Sequence, residues 1–223
     1  MKTEIIMEDE HIIICRKPAG IATQTDKIGQ KDVLSELKNY LRRPYLGLVH
    51  RLDQPVEGLL VFAKTQEAAA KLSKQLATHH MNKKYYAVVS GEGLADEGIL
   101  VDYLKKDGKS NTSAVVSQKE KDAKRAELSY RVVKRTEELA WIEVTLVTGR
   151  HHQIRVQMAH AGYPLLGDSK YGNDNSVSLT QKYQVKNVAL CAYCLEIQHP
   201  VTQKKMTYVA KPAADIFKEL NKE

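Results

Sequence analysis

Leu59–Ala63 is an uninterrupted apolar run held between Gly58 and Lys64. So short a run reads as a strand covered on both faces rather than as a helix. A strand of that kind needs partners, and the chain supplies them. Glu4–Met7 and His11–Cys15 are apolar runs parted by the acidic turn Glu8-Asp9-Glu10, and Lys17-Pro18-Ala19-Gly20 stops the second. Lys84–Ser90, Gly98–Tyr103, Ala126–Lys134 and Ala140–Val147 follow at the spacing of an antiparallel meander, with Lys105–Ser110 as a basic loop. Val188–Gln198 and Lys205–Ala210 complete the strands.

Helical periodicity is rarer. Val33, Leu34, Leu37 and Leu41 share a face of a helix over 32–41, which Asp32 caps and Pro44 limits. Glu67–Thr78, Gln153–His160 and Ala213–Leu220 are the other predicted helices, and Gly162, Pro164, Gly167 and Gly172 punctuate a long loop. No repeat or linker interrupts this series. The expectation is one α+β domain over residues 1–223, built on a large, mixed, mostly antiparallel sheet flanked by helices and loops.

A chain of 223 residues, 43% of them hydrophobic, can bury a substantial core. Its 34 basic residues against 27 acidic ones give +7 and a pI near 9.1, a balance that favours polyanionic partners. Cys15, Cys191 and Cys194 make no disulfide framework. Cys191 and Cys194 lie in an alternating strand pattern with no second ligand pair, so they read as small buried residues and not as a metal site. Met1–Glu10 carries acids where a signal peptide needs an apolar run. No stretch approaches the roughly 18 apolar residues of a membrane span. The expected setting is the cytoplasm.

Three clusters carry the chemistry. His50-Arg51-Leu52-Asp53 stands in a turn just before the buried strand. A carboxylate beside an arginine there can act as nucleophile, general base or metal ligand, or can simply cap the turn and pair with Arg51. Thr148-Gly149-Arg150-His151-His152-Gln153-Ile154-Arg155 spans a strand-to-helix junction. Backbone N–H groups and arginines at a helix start suit a phosphate or a carboxylate. His151 and His152 are adjacent and cannot share one helical face, which argues against a metal pair. In Lys83-Lys84-Tyr85-Tyr86 the two tyrosines face opposite sides of a strand.

Taken together, HRLDQPVEGLLVFAK (50–64), KKYYAVVSG (83–91) and TGRHHQIRVQMAHAGYPLLGDSKYG (148–172) resemble the RluA-type pseudouridine synthases, and EDEHIIICRKPAGIATQ (8–24) matches their usual opening. The likeness runs over nearly the whole chain, with the motifs in the family's order. It implies the pseudouridine synthase fold with an active-site cleft across the sheet, and isomerisation of specific uridines in ribosomal or transfer RNA. Carried over residue by residue, it makes Asp53 the catalytic nucleophile. Tyr85 is placed against the target base, and Arg155 pairs with the catalytic carboxylate. His50, Arg51, Arg150, His152, Gln153 and Ile154 are placed in RNA or substrate binding, with Arg42-Arg43 and Lys83-Lys84 as further basic segments. No cofactor and no metal are expected. The catalytic opening starts at once, so the family's frequent accessory RNA-binding domain is expected to be absent, and the protein to work as a monomer.

The resemblance also implies that the uridine leaves its stack before it reacts, since its reacting atoms are inaccessible inside a helix. Asp53 attacks either the uracil ring or assists departure of the base from ribose; both routes remain open at this point. Asn173–Thr180, polar and Ser-rich, is expected to order only when RNA binds. Four positions depart from the family pattern: Val56, Glu57, His151 (for a small hydroxyl residue) and Gln157 (for a second His). Two rivals are a non-catalytic RNA-binding protein of the same fold, and a metal-dependent hydrolase using His50, Asp53, His151 and His152. Retention of Asp53, Tyr85 and Arg155 opposes the first, and the lack of HxxxH-type ligand spacing opposes the second.

Overall fold

In the computed structural model, residues 2–27 and 29–220 are described. They form eleven strands and five α-helices, an α+β architecture of mostly antiparallel pairs, as the spacing of apolar runs requires. The chain divides into two units, Met1–Lys83 with Cys191–Pro212, and Lys84–Leu190 with Ala213–Glu223.

In the first unit β1 (Glu4–Glu8), β2 (Ile12–Lys17), β3 (Gly47–Leu48), β4 (Glu57–Ala63), β10 (Leu190–Gln198) and β11 (Lys205–Val209) pair around β4. Every residue of β4 is buried, as its unbroken apolar run demands. It lies antiparallel to β2, with Ile14 opposite Val61, and parallel to β10, with Ala192 opposite Gly58. Gly58 has φ +132°, and a Cβ there would lie 2.5 Å from the Ala192 backbone N and O. Only glycine permits this approach. Helix α1 (Val33–Leu41) begins where Asp32 accepts from the Ser35 amide, and Arg42 ends it in the left-handed region. Helix α2 (Gln66–Ala77), capped by Thr65, lays Ala68 and Leu72 on a core that includes Ile12, Ile14, Leu59 and Val61.

The second unit is a meander in the order β5 (Asn82–Ser90), β9 (Leu139–Leu146), β8 (Lys124–Arg135), β6 (Glu97–Asp107), β7 (Thr112–Val115). Strand β7 is a departure from expectation. The stretch read as a basic loop continues β6 to Asp107, turns over 108–111 and returns as β7, with Lys105 opposite Ala114. Asn111 takes the turn's left-handed position at φ 50°, which an asparagine tolerates. Helix α3 (Gln153–His160) covers the expected span and is buried over Gln153–Met158, with Val156 against Leu104 and Ala126.

Residues 173–180 also depart from expectation. They begin helix α4 (Asp174–Lys182), where Asn173 and Ser176 form a reciprocal capping box and the Thr180 hydroxyl accepts from the Gly167 amide. Helix α5 (Asp215–Glu219) sets Phe217 edge-on to Trp141.

Candidate active site

The Asp53 turn is assembled wholly within the first unit. Val56 donates its amide to the Asp53 carbonyl at 3.0 Å, closing a turn over Gln54-Pro55 directly before β4. The segment after β2 then laces this turn at Arg51, Leu52 and Gln54. The Thr23 hydroxyl donates to the Leu52 carbonyl at 2.8 Å and accepts the Leu52 amide at 3.1 Å. Gly20 N–H donates to the Gln54 carbonyl at 2.8 Å, and the Gln54 side-chain amide returns to the Gly20 carbonyl at 3.1 Å. Arg51, exposed, donates from Nη2 to Gln24 at 2.7 Å. The residues flanking Asp53 on both sides are therefore fixed by hydrogen bonds.

Lys17 completes the turn. It is 0% exposed, and its ammonium donates to the carbonyls of Pro18 (2.9 Å), Ile21 (2.6 Å) and Gln54 (3.0 Å), one acceptor for each N–H. Burial pulls its pKa down to about 8, against the attraction of Asp53, then Glu57 and Cys15, which favours the charged form. A buried cation thus stands within electrostatic reach of the Asp53 carboxylate. Glu57, the departure after Val56, is buried and takes Arg16 Nη2 at 3.2 Å. Composition gave no hint of Lys17; the available signal was a lysine ending a fully apolar strand just before Pro-Ala-Gly.

His50 is 6% exposed and accepts the Val61 amide at Nε2 (3.3 Å), so its proton sits on Nδ1, an atom with no hydrogen-bond partner among the described residues. Burial first, then the charge of Lys83, holds it neutral, far below the usual histidine range. The imidazole therefore braces the turn against β4.

The second unit holds Tyr85 and the arginine shell. Tyr85 is buried on β5, opposite Val144, while Tyr86 points the other way and meets Trp141 edge-on with ring centroids 5.0 Å apart. Arg155 sits inside α3, 3% exposed, and its Nε and Nη2 donate to the two oxygens of Asp168 at 2.7 Å each. Asp168 Oδ1 also accepts the amides of Lys170 and Tyr171. The Arg155 guanidinium lies 5.1 Å from the Tyr171 ring centre. Sequence reasoning missed Asp168 and Tyr171. A buried arginine in the run QIRVQMAH calls for a carboxylate, and Asp168 stands in the Gly-punctuated loop that follows.

The junction before α3 differs from an open anion site. Gln153 Oε1 accepts both the Arg150 amide (2.9 Å) and the Thr148 hydroxyl (2.8 Å), and its Nε2 donates to the Glu127 carbonyl (3.0 Å). The helix start is thus filled by its own glutamine. His152 caps α3 at φ 54° with no side-chain capping bond; its ring stacks on His151 with centroids 3.8 Å apart and its Nδ1 meets the Tyr171 hydroxyl at 2.7 Å. Among the residues expected to touch RNA, Arg51 and Arg150 are exposed, whereas His50, His152, Gln153 and Ile154 are buried. No cluster of His, Cys, Asp or Glu able to hold a metal occurs among the described residues. No helix among them is long and apolar enough to cross a membrane. Cys15, Cys191 and Cys194 are buried free thiols, and burial drives the Cys15 pKa up to about 12.

Residues 11–160 match the RNA pseudouridylate synthase family. A ribosomal large subunit pseudouridine synthase D from Pseudomonas aeruginosa is 36% identical over 93% of this chain and 68% of its own length. Its namesake from Zymomonas mobilis is 33% identical over 96% and 70%. The solved human RNA pseudouridylate synthase domain containing 4 superposes with a TM-score of 0.75 at 23% identity, covering 94% of this chain and 89% of that one, which shows the shared fold.

Proposed function

The chain belongs to the RNA pseudouridylate synthase family, which isomerises uridine to pseudouridine in RNA, and we propose that it does so with Asp53 as nucleophile on ribosomal or transfer RNA. The observation that carries the proposal is the Asp53 turn: its neighbours are locked on both sides and a buried ammonium bonded to Gln54 attracts it. Such rigidity serves a reacting group, which loses rate steeply when it is misplaced. In the isomerisation the bond from ribose to ring nitrogen breaks, a ring carbon takes that place, the carbon gives up its proton and the nitrogen gains one. Atoms and charge balance with no redox partner or group donor.

Tyr85 lies against the uracil in this reading and Arg155 keeps the aspartate oriented, its guanidinium aimed by Asp168. Arg51 and Arg150, both exposed, take the RNA backbone. His50, His152, Gln153 and Ile154 act from within by holding those groups. The two units serve as one catalytic domain, and the protein acts as a cytoplasmic monomer.

The relatives divide the substrate question. The chain covers 66–70% of the relatives named for the ribosomal large subunit, and 88% of a tRNA pseudouridine synthase C from Vibrio cholerae to which it is 29% identical. The test is incubation of the protein with unmodified ribosomal and transfer RNA, followed by site-specific mapping of pseudouridine. New sites in one pool name the substrate. Binding of both pools without any new site overturns the proposal in favour of a binding protein.

A further inference from the structure

His151 stands where the family pattern has a small hydroxyl residue, and the mechanism above leaves it unused. Its ring is held from two sides. Ser113 Oγ meets Nδ1 at 2.9 Å and Asn111 Oδ1 meets Nε2 at 3.2 Å, both from the β6–β7 hairpin. Its face stacks on His152 with an interplanar angle of 22°. The same hairpin is tied to the loop after α3 by two more bonds. Ser113 N–H donates to the Tyr171 hydroxyl at 2.8 Å, and Lys170 Nζ donates to the Asn111 carbonyl at 2.6 Å.

Tyr171 joins these contacts to the arginine. Its hydroxyl meets His152, its ring underlies the Arg155 guanidinium, and its amide shares Asp168 with that arginine. A path of direct contacts therefore runs from Asn111 and Ser113 through His151, His152 and Tyr171 to Arg155. At its outer end the hairpin carries Lys106 and Lys109, exposed and without an ion pair among the described residues. Those cations suit the phosphates of an RNA backbone. A serine or threonine at 151 could neither stack on His152 nor reach both hairpin residues with one side chain.

We propose that His151 is a positioning residue that couples the β6–β7 hairpin, where RNA backbone lies, to the placement of Arg155. The inference rests on the reading that Arg155 takes part in the reaction. It concerns rate at bound substrate, because the coupling acts on geometry after the RNA has docked.

The test compares wild type with His151→Ser and Asn111→Gly, the second chosen because glycine accepts the positive φ of Asn111. Single-turnover conversion of the in vitro transcribed RNA that wild type modifies is measured with saturating enzyme, and affinity by filter binding. Each variant is expected to convert about tenfold more slowly with affinity changed less than about twofold, and the double variant no more slowly than the worse single one. Weakened affinity with an unchanged rate overturns the proposal, as do independent, multiplying losses. Should His151→Ser lose its fold, Asn111→Gly loosens the same path from the hairpin side by removing one of the two bonds to the His151 ring. The nitrogen-15 resonance of Arg155 Nε gives a readout independent of activity. It is expected to move in both variants, and an unmoved resonance overturns the coupling. If wild type modifies no RNA, the functional reading has failed and this resonance alone decides the coupling.

Discussion

Arg155 and Asp168 form a two-bonded ion pair inside the protein, Nε to Oδ2 and Nη2 to Oδ1 at 2.7 Å, with side chains 3% and 0% exposed. A guanidinium buried at that depth is tolerable only while the carboxylate faces it, and the planar fork fixes its direction as well as its charge. Asp168 is thereby as much a part of the arginine's placement as α3 itself. Asp168→Asn keeps the shape and removes the charge. It is expected to cost about 3–5 kcal/mol in urea unfolding, as for other broken buried pairs, and to lower turnover. Stability within about 0.5 kcal/mol of wild type would contradict this role.

Lys17 supplies three bonds to backbone carbonyls, one of them on the residue after Asp53. Lys17→Met retains the length of the side chain and orphans the Pro18 and Ile21 carbonyls, while the Gln54 carbonyl keeps the Gly20 amide. Buried carbonyls without donors cost about 1–3 kcal/mol each, so a lowered urea midpoint is expected. Turnover should fall further than RNA affinity, because Arg51 and the exposed cations remain in place. Intact turnover in a folded variant would show that the turn holds Asp53 without the ammonium.

Gly58 follows the turn at the point where β10 approaches most closely, and an added Cβ would meet Ala192 backbone at 2.5 Å. Gly58→Ala is expected to destabilise by about 2 kcal/mol or more, since backbone rather than a flexible side chain must yield. A thermal midpoint equal to wild type contradicts the strand register.

Lys83 is half-buried, and burial pulls its pKa down to about 8. In the unfolded chain the ammonium keeps its proton to roughly pH 10.4. Between those values the unfolded state binds the extra proton, so the cost of burying Lys83 is present in full below pH 8 and fades as pH rises. Lys83→Met should therefore be more stable than wild type at pH 7, by a margin that narrows at pH 9. Denaturant midpoints at the two pH values measure it, and a margin that ignores pH contradicts the assignment.

Much of this organisation is legible in the residues. The unbroken run at 59–63 marks β4, Asp32 marks the start of α1, and QIRVQMAH falls on α3 without adjustment. Two elements escaped because composition masked their local chemistry. Lys105–Ser110 looks like an open basic loop, yet Gly108 and the left-handed Asn111 that follows it are those of a hairpin turn, and β7 is too short to show alternation. Asn173–Thr180 looks unstructured because Ser and Asn are poor helix formers inside a helix. The same residues are strong at its start, where Asn173 and Ser176 cap each other.

The site divides along a similar line. Asp53, Tyr85 and Arg155 stand in short motifs, and the roles proposed for them rest on those motifs. Lys17 and Asp168 are not legible in this way, because each is defined by what it faces once the chain folds, Gln54 in one case and Arg155 in the other. Gln153 illustrates the converse. Its motif position suggests substrate contact, but its amide is spent on Thr148, Arg150 and Glu127.

The most direct test of Asp53 as nucleophile is a comparison of wild type with Asp53→Asn. Both proteins are incubated with unmodified ribosomal and transfer RNA, their folding is checked by thermal unfolding, and pseudouridine is mapped by chemical labelling. The account predicts new sites with wild type and none with the folded variant, which still binds the RNA. An Asp53→Asn protein that modifies the same sites at the wild-type rate would contradict it.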